Sequence, residues 1–146
     1  MAGGRAFEIR TTVRFADCDP LGHVNHAVYL SYAEQARFGL WRRLWGFNGE
    51  TAKTAAGGVG LILARAECDY KVPATYGDTL EVRLGLVAIG RTSFTYIYEV
   101  VDQTGQIVAN ARSVQVLDEH GEDIAGLFGI YVGSTTLFRN PKIRTD

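Results

Sequence analysis

The chain has 146 residues, 47% of them apolar and 21% charged, with a formal net charge of −1. That length suits one domain with a core of its own, in no need of disulfide or metal staples. The near-neutral balance excludes a general pull toward nucleic acid or anionic membrane, so any phosphate binding must come from a local basic cluster.

Residues Glu8 to Phe15 alternate, with Ile9, Thr11, Val13 and Phe15 on one face and Arg10, Thr12 and Arg14 on the other. Period two with β-branched residues predicts a half-buried strand. A polar turn follows, Asp17-Cys18-Asp19-Pro20-Leu21-Gly22-His23, and then a helix from about Asn25 to Trp45. Asn25 reads as its N-cap and Gly46 as its stop. Tyr29, Tyr32, Ala33, Ala36, Leu40 and Leu44 recur at helical spacing and form an apolar stripe. Glu34 and Arg37, three apart, are expected to pair with each other.

The segment 48–58, rich in Gly, Thr and Ala, reads as a loop. Four strand-like runs come next: Val59 to Tyr70, Thr79 to Ile89, Ser93 to Val101 and Ile107 to Leu117. Short turns between them predict antiparallel neighbours in a four-stranded meander. On the first of these strands, Arg65 and Glu67 share a face and are expected to form an exposed pair. The tail, Ile124 to Phe138 and on to Asp146, is apolar but broken by glycines, which leaves open a short helix, an added strand or an arm on a neighbouring subunit. One helix and one sheet bury their apolar faces against each other, so the class is α+β. One domain spans 1–146, its core at about 8–118.

The two cysteines, Cys18 and Cys68, lack CxxC spacing and read as reduced thiols. The first residues carry no apolar leader, and no run reaches the roughly 18–20 apolar residues of a membrane helix. A cytoplasmic protein is expected, with no nucleic-acid and no membrane partner.

Chemistry-bearing residues are densest between the first strand and the helix: Asp17, Asp19, His23, Asn25 and His26. A helix N-terminus offers unpaired N–H groups and partial positive charge, which suit the oxyanion formed when a carbonyl is attacked. A carboxylate beside it is a nucleophile or a general base for water. Asp17 and Asp19 also fit a turn that bonds to its own backbone. The spacing of acids and histidines matches no established zinc pattern, and no metal is expected. Cys18, flanked by two acids, has a disfavoured thiolate and is not expected to act as a nucleophile.

The run from Val13 through Asp17-Cys18-Asp19-Pro20-Leu21-Gly22-His23-Val24-Asn25-His26 to Arg37 resembles the signature of 4-hydroxybenzoyl-CoA-thioesterase-like hotdog proteins. The stretches Ala66 to Asp78 and Gly90 to Phe94 fit as well. The resemblance implies an antiparallel sheet of about five strands wrapped around one long helix, a homodimer or homotetramer, and an active site at the subunit interface. It implies hydrolysis of acyl-CoA thioesters without a cofactor, coenzyme A being part of the substrate. Residue by residue it assigns catalysis to Asp19 and His26, CoA phosphate contact to Arg91, and a second acid or substrate contact to Glu34, with Asn25 compatible with a substrate or water contact. Many relatives carry Asn at the position of His26. Two rival readings remain, a non-catalytic acyl-CoA or acyl-carrier binding module and a hotdog enoyl-thioester hydratase. The hydratase pattern, Asp-x-Asn-Pro-x-His, is not met here: His23 follows Asp19 by four residues and His26 by seven.

Overall fold

The computed structural model describes residues 7–46, 61–91 and 93–117. Five strands and one long helix account for most of them: β1 (Phe7–Thr12), α1 (Val28–Trp45), β2 (Leu61–Tyr70), β3 (Thr79–Ile89), β4 (Ser93–Val101) and β5 (Ile107–Leu117). All strand pairs are antiparallel, in the order β1-β3-β4-β5-β2. The sheet wraps one face around α1, the hotdog architecture. The 48–58 loop and the 124–146 tail fall outside the described residues. Among those described, no helix is long and apolar enough to cross a membrane.

The core follows from the two periodicities. Leu80, Val82, Leu84 and Leu86 of β3 and Phe94, Tyr96, Tyr98 and Val100 of β4 point inward at every second residue. They meet Tyr29, Tyr32, Ala33, Ala36, Leu40 and Trp41 of the helix. Small residues on that helical face let β1 approach closely. A Cβ on Gly39 would lie 3.2 Å from the Phe7 ring and 3.3 Å from Ile9. The helix ends at Gly46, whose φ of 67° is a left-handed conformation that glycine takes without steric cost.

Three expectations need correction. The first strand ends at Thr12, and Phe15 begins a short 3-10 turn, Phe15–Asp17, where its ring is exposed. The helix begins at Val28 with Ala27 as N-cap. Asn25 instead closes an Asx turn, its Oδ1 accepting the Ala27 N–H at 2.9 Å while its carbonyl accepts the Val28 N–H at 2.9 Å. Finally, the meander holds for β3, β4 and β5 only: β2 pairs with β5 and not with β3.

The reason lies in the β2–β3 connection, 71–78. Eight extended residues reach about 26 Å, well beyond the roughly 14 Å that separates β2 from β3 across β5 and β4. The segment crosses the end of the sheet beneath the helix start and is bonded all along. Lys71 N–H donates to Val108 O (2.9 Å), Val24 N–H to Ala74 O (2.9 Å), Ala74 N–H to the Tyr29 hydroxyl (3.2 Å) and Gly77 N–H to Val13 O (3.1 Å). Ala74 is fully buried there.

Candidate active site

The loop between β1 and α1 is built around Asp17. Its carboxylate, 3% exposed, accepts the Arg14 N–H (3.0 Å), the Arg14 Nε and Nη2 protons (3.2 and 2.8 Å) and the Tyr32 hydroxyl (2.9 Å). Its backbone carbonyl accepts the Asn25 N–H at 2.8 Å. One buried acid thus ties the end of β1, the loop and the helix together. Burial alone would raise the Asp17 carboxyl, but the Arg14 side-chain and backbone bonds and the Tyr32 bond outweigh it and hold the group below its usual range. Burial, and then the Asp17 carboxylate, push the Tyr32 phenol up, so it stays a donor.

On that base sits a small hairpin. Cys18 and Val24 form an antiparallel bridge, Asp19 N–H donates to His23 O (2.8 Å), and Gly22 N–H returns to Asp19 O (3.0 Å). The Asp19 side chain takes part through one oxygen: Oδ1 accepts the Leu21 N–H at 2.9 Å and, more weakly, the His23 N–H at 3.4 Å. Oδ2 accepts no hydrogen bond among the described residues. Asp19 is half-buried. The turn fixes the carboxylate through Oδ1 alone.

His26 occupies the turn just before the helix and is exposed. Its carbonyl accepts the Tyr70 hydroxyl at 2.8 Å, which joins the end of β2 to the helix entry. Burial, followed by the bond with Cys68, pushes the Tyr70 phenol up to about 12. The His26 N–H and ring make no hydrogen bond among the described residues. Asp19, Asn25 and His26 therefore share one short segment at the positive end of α1.

The other two candidates lie elsewhere. Thr12 pairs with Thr79 at the start of β3, whereas Arg91 follows Ile89 at its far end. Ten residue steps at about 3.3 Å each set the Arg91 turn about 33 Å along the strand from the Asp19 end. Within one chain the two do not meet. Glu34 is exposed on the helix and forms no ion pair with Arg37, against expectation. Arg37 turns inward instead: it is 7% exposed, and its Nη1 donates to the Tyr98 hydroxyl at 3.1 Å. The physical reason is its place on the helix, one residue after buried Ala36 and four after buried Ala33, in the apolar stripe itself. A cation at a core position was the sequence signal, and the pairing rule for exposed helix faces hid it. Arg65 and Glu67 form the exposed pair expected, at 3.0 Å.

Between α1 and the β5–β2 side of the sheet runs an open-sided cavity of about 160 Å³, lined among others by Leu30, Glu34, Arg37, Leu63, Tyr98 and Ser113. Cys18 and Cys68 are both free thiols. Among the described residues, no three His, Cys, Asp or Glu side chains converge as a metal-holding group.

The family model for the thioesterase-like superfamily matches residues 13–122. A putative esterase of Aquifex aeolicus is 34% identical over 119 residues, covering 82% of this chain and 90% of the relative. A 1,4-dihydroxy-2-naphthoyl-CoA hydrolase of Synechococcus elongatus is 31% identical over 110 residues, 75% of this chain and 79% of its own. Among solved structures, a Thermus thermophilus thioesterase complexed with coenzyme A and zinc is 35% identical, with a TM-score of 0.66 over 80% of this chain and 86% of that one. The superfamily match begins at Val13, just after β1, and runs through the Asp17 clamp, α1 and the strands β2 to β5, so this chain belongs to the thioesterase-like superfamily.

Proposed function

We propose that the protein hydrolyses acyl-CoA thioesters, with Asp19 as the catalytic carboxylate. One observation carries this reading: Asp19 is held through Oδ1 while Oδ2 has no partner among the described residues, in the loop that enters the positive end of α1, where the His26 N–H likewise bonds none of them. A thioester carbonyl set against that N–H has its developing oxyanion stabilised, and Oδ2 either attacks the carbon or takes a proton from an attacking water. In the first case the C–S bond breaks to leave an aspartyl–acyl anhydride, which water hydrolyses to the free acid and Asp19, and the CoA thiolate takes its proton from solvent. In the second, the proton taken from water passes to the CoA thiolate as the C–S bond breaks, and the His26 ring would orient that water or steady the thiolate. Asn25 fixes the turn that presents His26. The reaction needs no cofactor, since coenzyme A belongs to the substrate.

A homodimer completes the site in this reading. β2 is a sheet edge, with Ile62 49% and Leu63 48% exposed. The Tyr70 end of β2 lies at the helix entry, and its Leu61 end lies toward Ser93, beside the Arg91 turn. Antiparallel pairing of two copies along β2 would therefore bring the partner's Arg91 to the end of the sheet that carries Asp19. CoA phosphates would meet Arg91 of the partner subunit there.

Thiol release from acyl-CoA, followed with Ellman's reagent over a chain-length series, tests the activity. Asp19→Asn keeps an oxygen for the Leu21 and His23 N–H groups and should leave the fold intact while lowering kcat by about 10²–10⁴-fold. Wild-type turnover in that variant would remove Asp19 from the mechanism. The Asx turn itself favours one rival, a non-catalytic binding module in which Asp19 is only a turn residue. That module would bind acyl-CoA and release no thiol in the same assay.

A further inference from the structure

Arg37 is a buried cation with no anionic partner among the described residues. It is 7% exposed, its Nη1 bonds the Tyr98 hydroxyl at 3.1 Å, and its buried Nε has no hydrogen-bond partner among the described residues. No carboxylate among the described residues forms an ion pair with it. Tyr98 does not supply the missing charge. Burial pushes its phenol up despite the Arg37 charge, and its hydroxyl is linked at 2.5 Å to Ser113, which in turn bonds Gln115. That chain is neutral from end to end. A guanidinium taken out of water costs several kcal/mol unless a counter-charge comes with it, and none of the described residues offers one.

The same arginine lines the cavity between α1 and β2/β5. The lining runs from Leu30, in the first turn of the helix, to Arg37, nine residues beyond Val28 or about 13 Å at 1.5 Å per residue. Helical side chains lean toward the N-terminus, which brings the guanidinium nearer the helix entry. At about 160 Å³ the space matches cavities that accept a benzene-sized guest, a group of six carbons. Leu30, Leu63 and Ala66 give it apolar walls, and of its polar groups Tyr98 bonds Arg37 directly and Ser113 through Tyr98. Glu34 and Arg112 line it too, with opposite charges. Glu34 is exposed, so water and salt screen its repulsion of an anion, whereas the field of buried Arg37 is screened far less.

We propose that this cavity is an acyl-group subsite selective for a second, terminal carboxylate, with Arg37 as the specificity-determining residue and Tyr98 and Ser113 holding it in place. The substrate class is then a dicarboxylic acyl thioester of about six carbons. This rests on the thioesterase reading above, with the thioester end at the helix entry and the far end beside the arginine.

The test compares adipyl-CoA with hexanoyl-CoA, equal in carbon count and different in terminal charge, and includes 4-hydroxybenzoyl-CoA as a neutral hydrogen-bonding control. The wild type should favour adipyl-CoA over hexanoyl-CoA by ten-fold or more in kcat/KM, Arg37→Met should bring that ratio to near one, and Arg37→Lys should keep part of it. Titration calorimetry with the non-hydrolysable thioether analogues reads the same preference as a ratio of Kd values, without turnover. If no thiol is released from any substrate but the thioethers bind with the adipyl preference, the subsite stands and the hydrolytic reading falls. If hexanoyl-CoA or 4-hydroxybenzoyl-CoA is turned over as well as adipyl-CoA, the subsite proposal is wrong and hydrolysis stands. It is equally overturned if Arg37→Met leaves the ratio unchanged and dissociates the dimer, because the counter-charge then comes from a second copy. Circular dichroism and the melting temperature of each variant establish that the compared proteins are folded.

Discussion

Asp17 and Asp19 stand two residues apart and differ in every physical respect. Asp17 has its oxygens filled by Arg14 and Tyr32 and is nearly dry, while Asp19 is half-buried and lends only Oδ1 to the backbone. Every neighbour of the Asp17 carboxylate is a donor, so in Asp17→Asn the new NH₂ faces donors on whichever side it lies. The variant should lose about 1–3 kcal/mol of unfolding free energy, measured by urea denaturation. The loss should depend on pH with a definite sign. A carboxyl held below its ordinary value in the folded state stabilises fully above the unfolded value of about 3.9, and that stabilisation fades as pH falls through the lower folded value. The gap between wild type and Asp17→Asn should accordingly stay constant from neutral pH down to about pH 5 and narrow below about pH 4. A gap that widens on acidification would contradict the clamp. The turn role of Asp17 was legible in the sequence because it is local, with Arg14 three residues away. Its bond to Tyr32, fifteen residues on, was not, nor was the inward turn of Arg37. Both depend on which helical face meets the sheet.

Helix α1 shows how element-level patterns carry and where they stop. The apolar stripe and the Gly46 stop follow from spacing alone, and the bounds of β3, β4 and β5 follow from alternation and their short turns. The exact helix start did not, because the Asx turn at Asn25 satisfies N–H groups two and three residues on and imitates a cap. Gly39 gives the helix–sheet packing a direct test. Glycine inside a helix costs about 1 kcal/mol relative to alanine. A Cβ there would lie only 3.2–3.3 Å from Phe7 and Ile9, which says what that cost secures, a close seat for β1. A larger side chain must push β1 away. Gly39→Leu should lower stability by about 1–3 kcal/mol in urea despite its better helix propensity, and Phe7→Ala in the same background should restore part of it. A Gly39→Leu protein as stable as wild type would mean that β1 is not packed as tightly as these distances state.

At the scale of the molecule, the misplaced strand is the informative one. The meander logic sets β2 beside β3 because they are neighbours in sequence, yet the eight-residue connection carries the chain across the end of the sheet and leaves β2 as an edge against β5. Pairings between strands distant in sequence are chosen by how the sheet closes around the helix, which no local pattern encodes. The consequence is a ten-residue edge strand with Ile62, Leu63 and Tyr70 about half exposed, the kind of edge that pairs with another strand unless something blocks it. If it pairs with its own copy, as proposed, each site takes Asp19 from one chain and Arg91 from the other, and the two defects can be separated by mixing. Asp19→Asn and Arg91→Ala homodimers are each impaired when assayed below saturation. A protomer exchanged from each gives a heterodimer in which one site collects both substitutions and the other collects neither. Random exchange should then recover about a quarter of wild-type activity, from half the dimers with one intact site of two, as a two-fold symmetric interface requires. Sites confined to single chains would recover nothing, since every chain in the mixture carries a defect. The Ile62→Lys/Leu63→Lys double variant supplies the complementary measurement: it should sediment as a monomer and lose affinity for CoA thioesters together with the edge, because the partner's Arg91 departs with the partner.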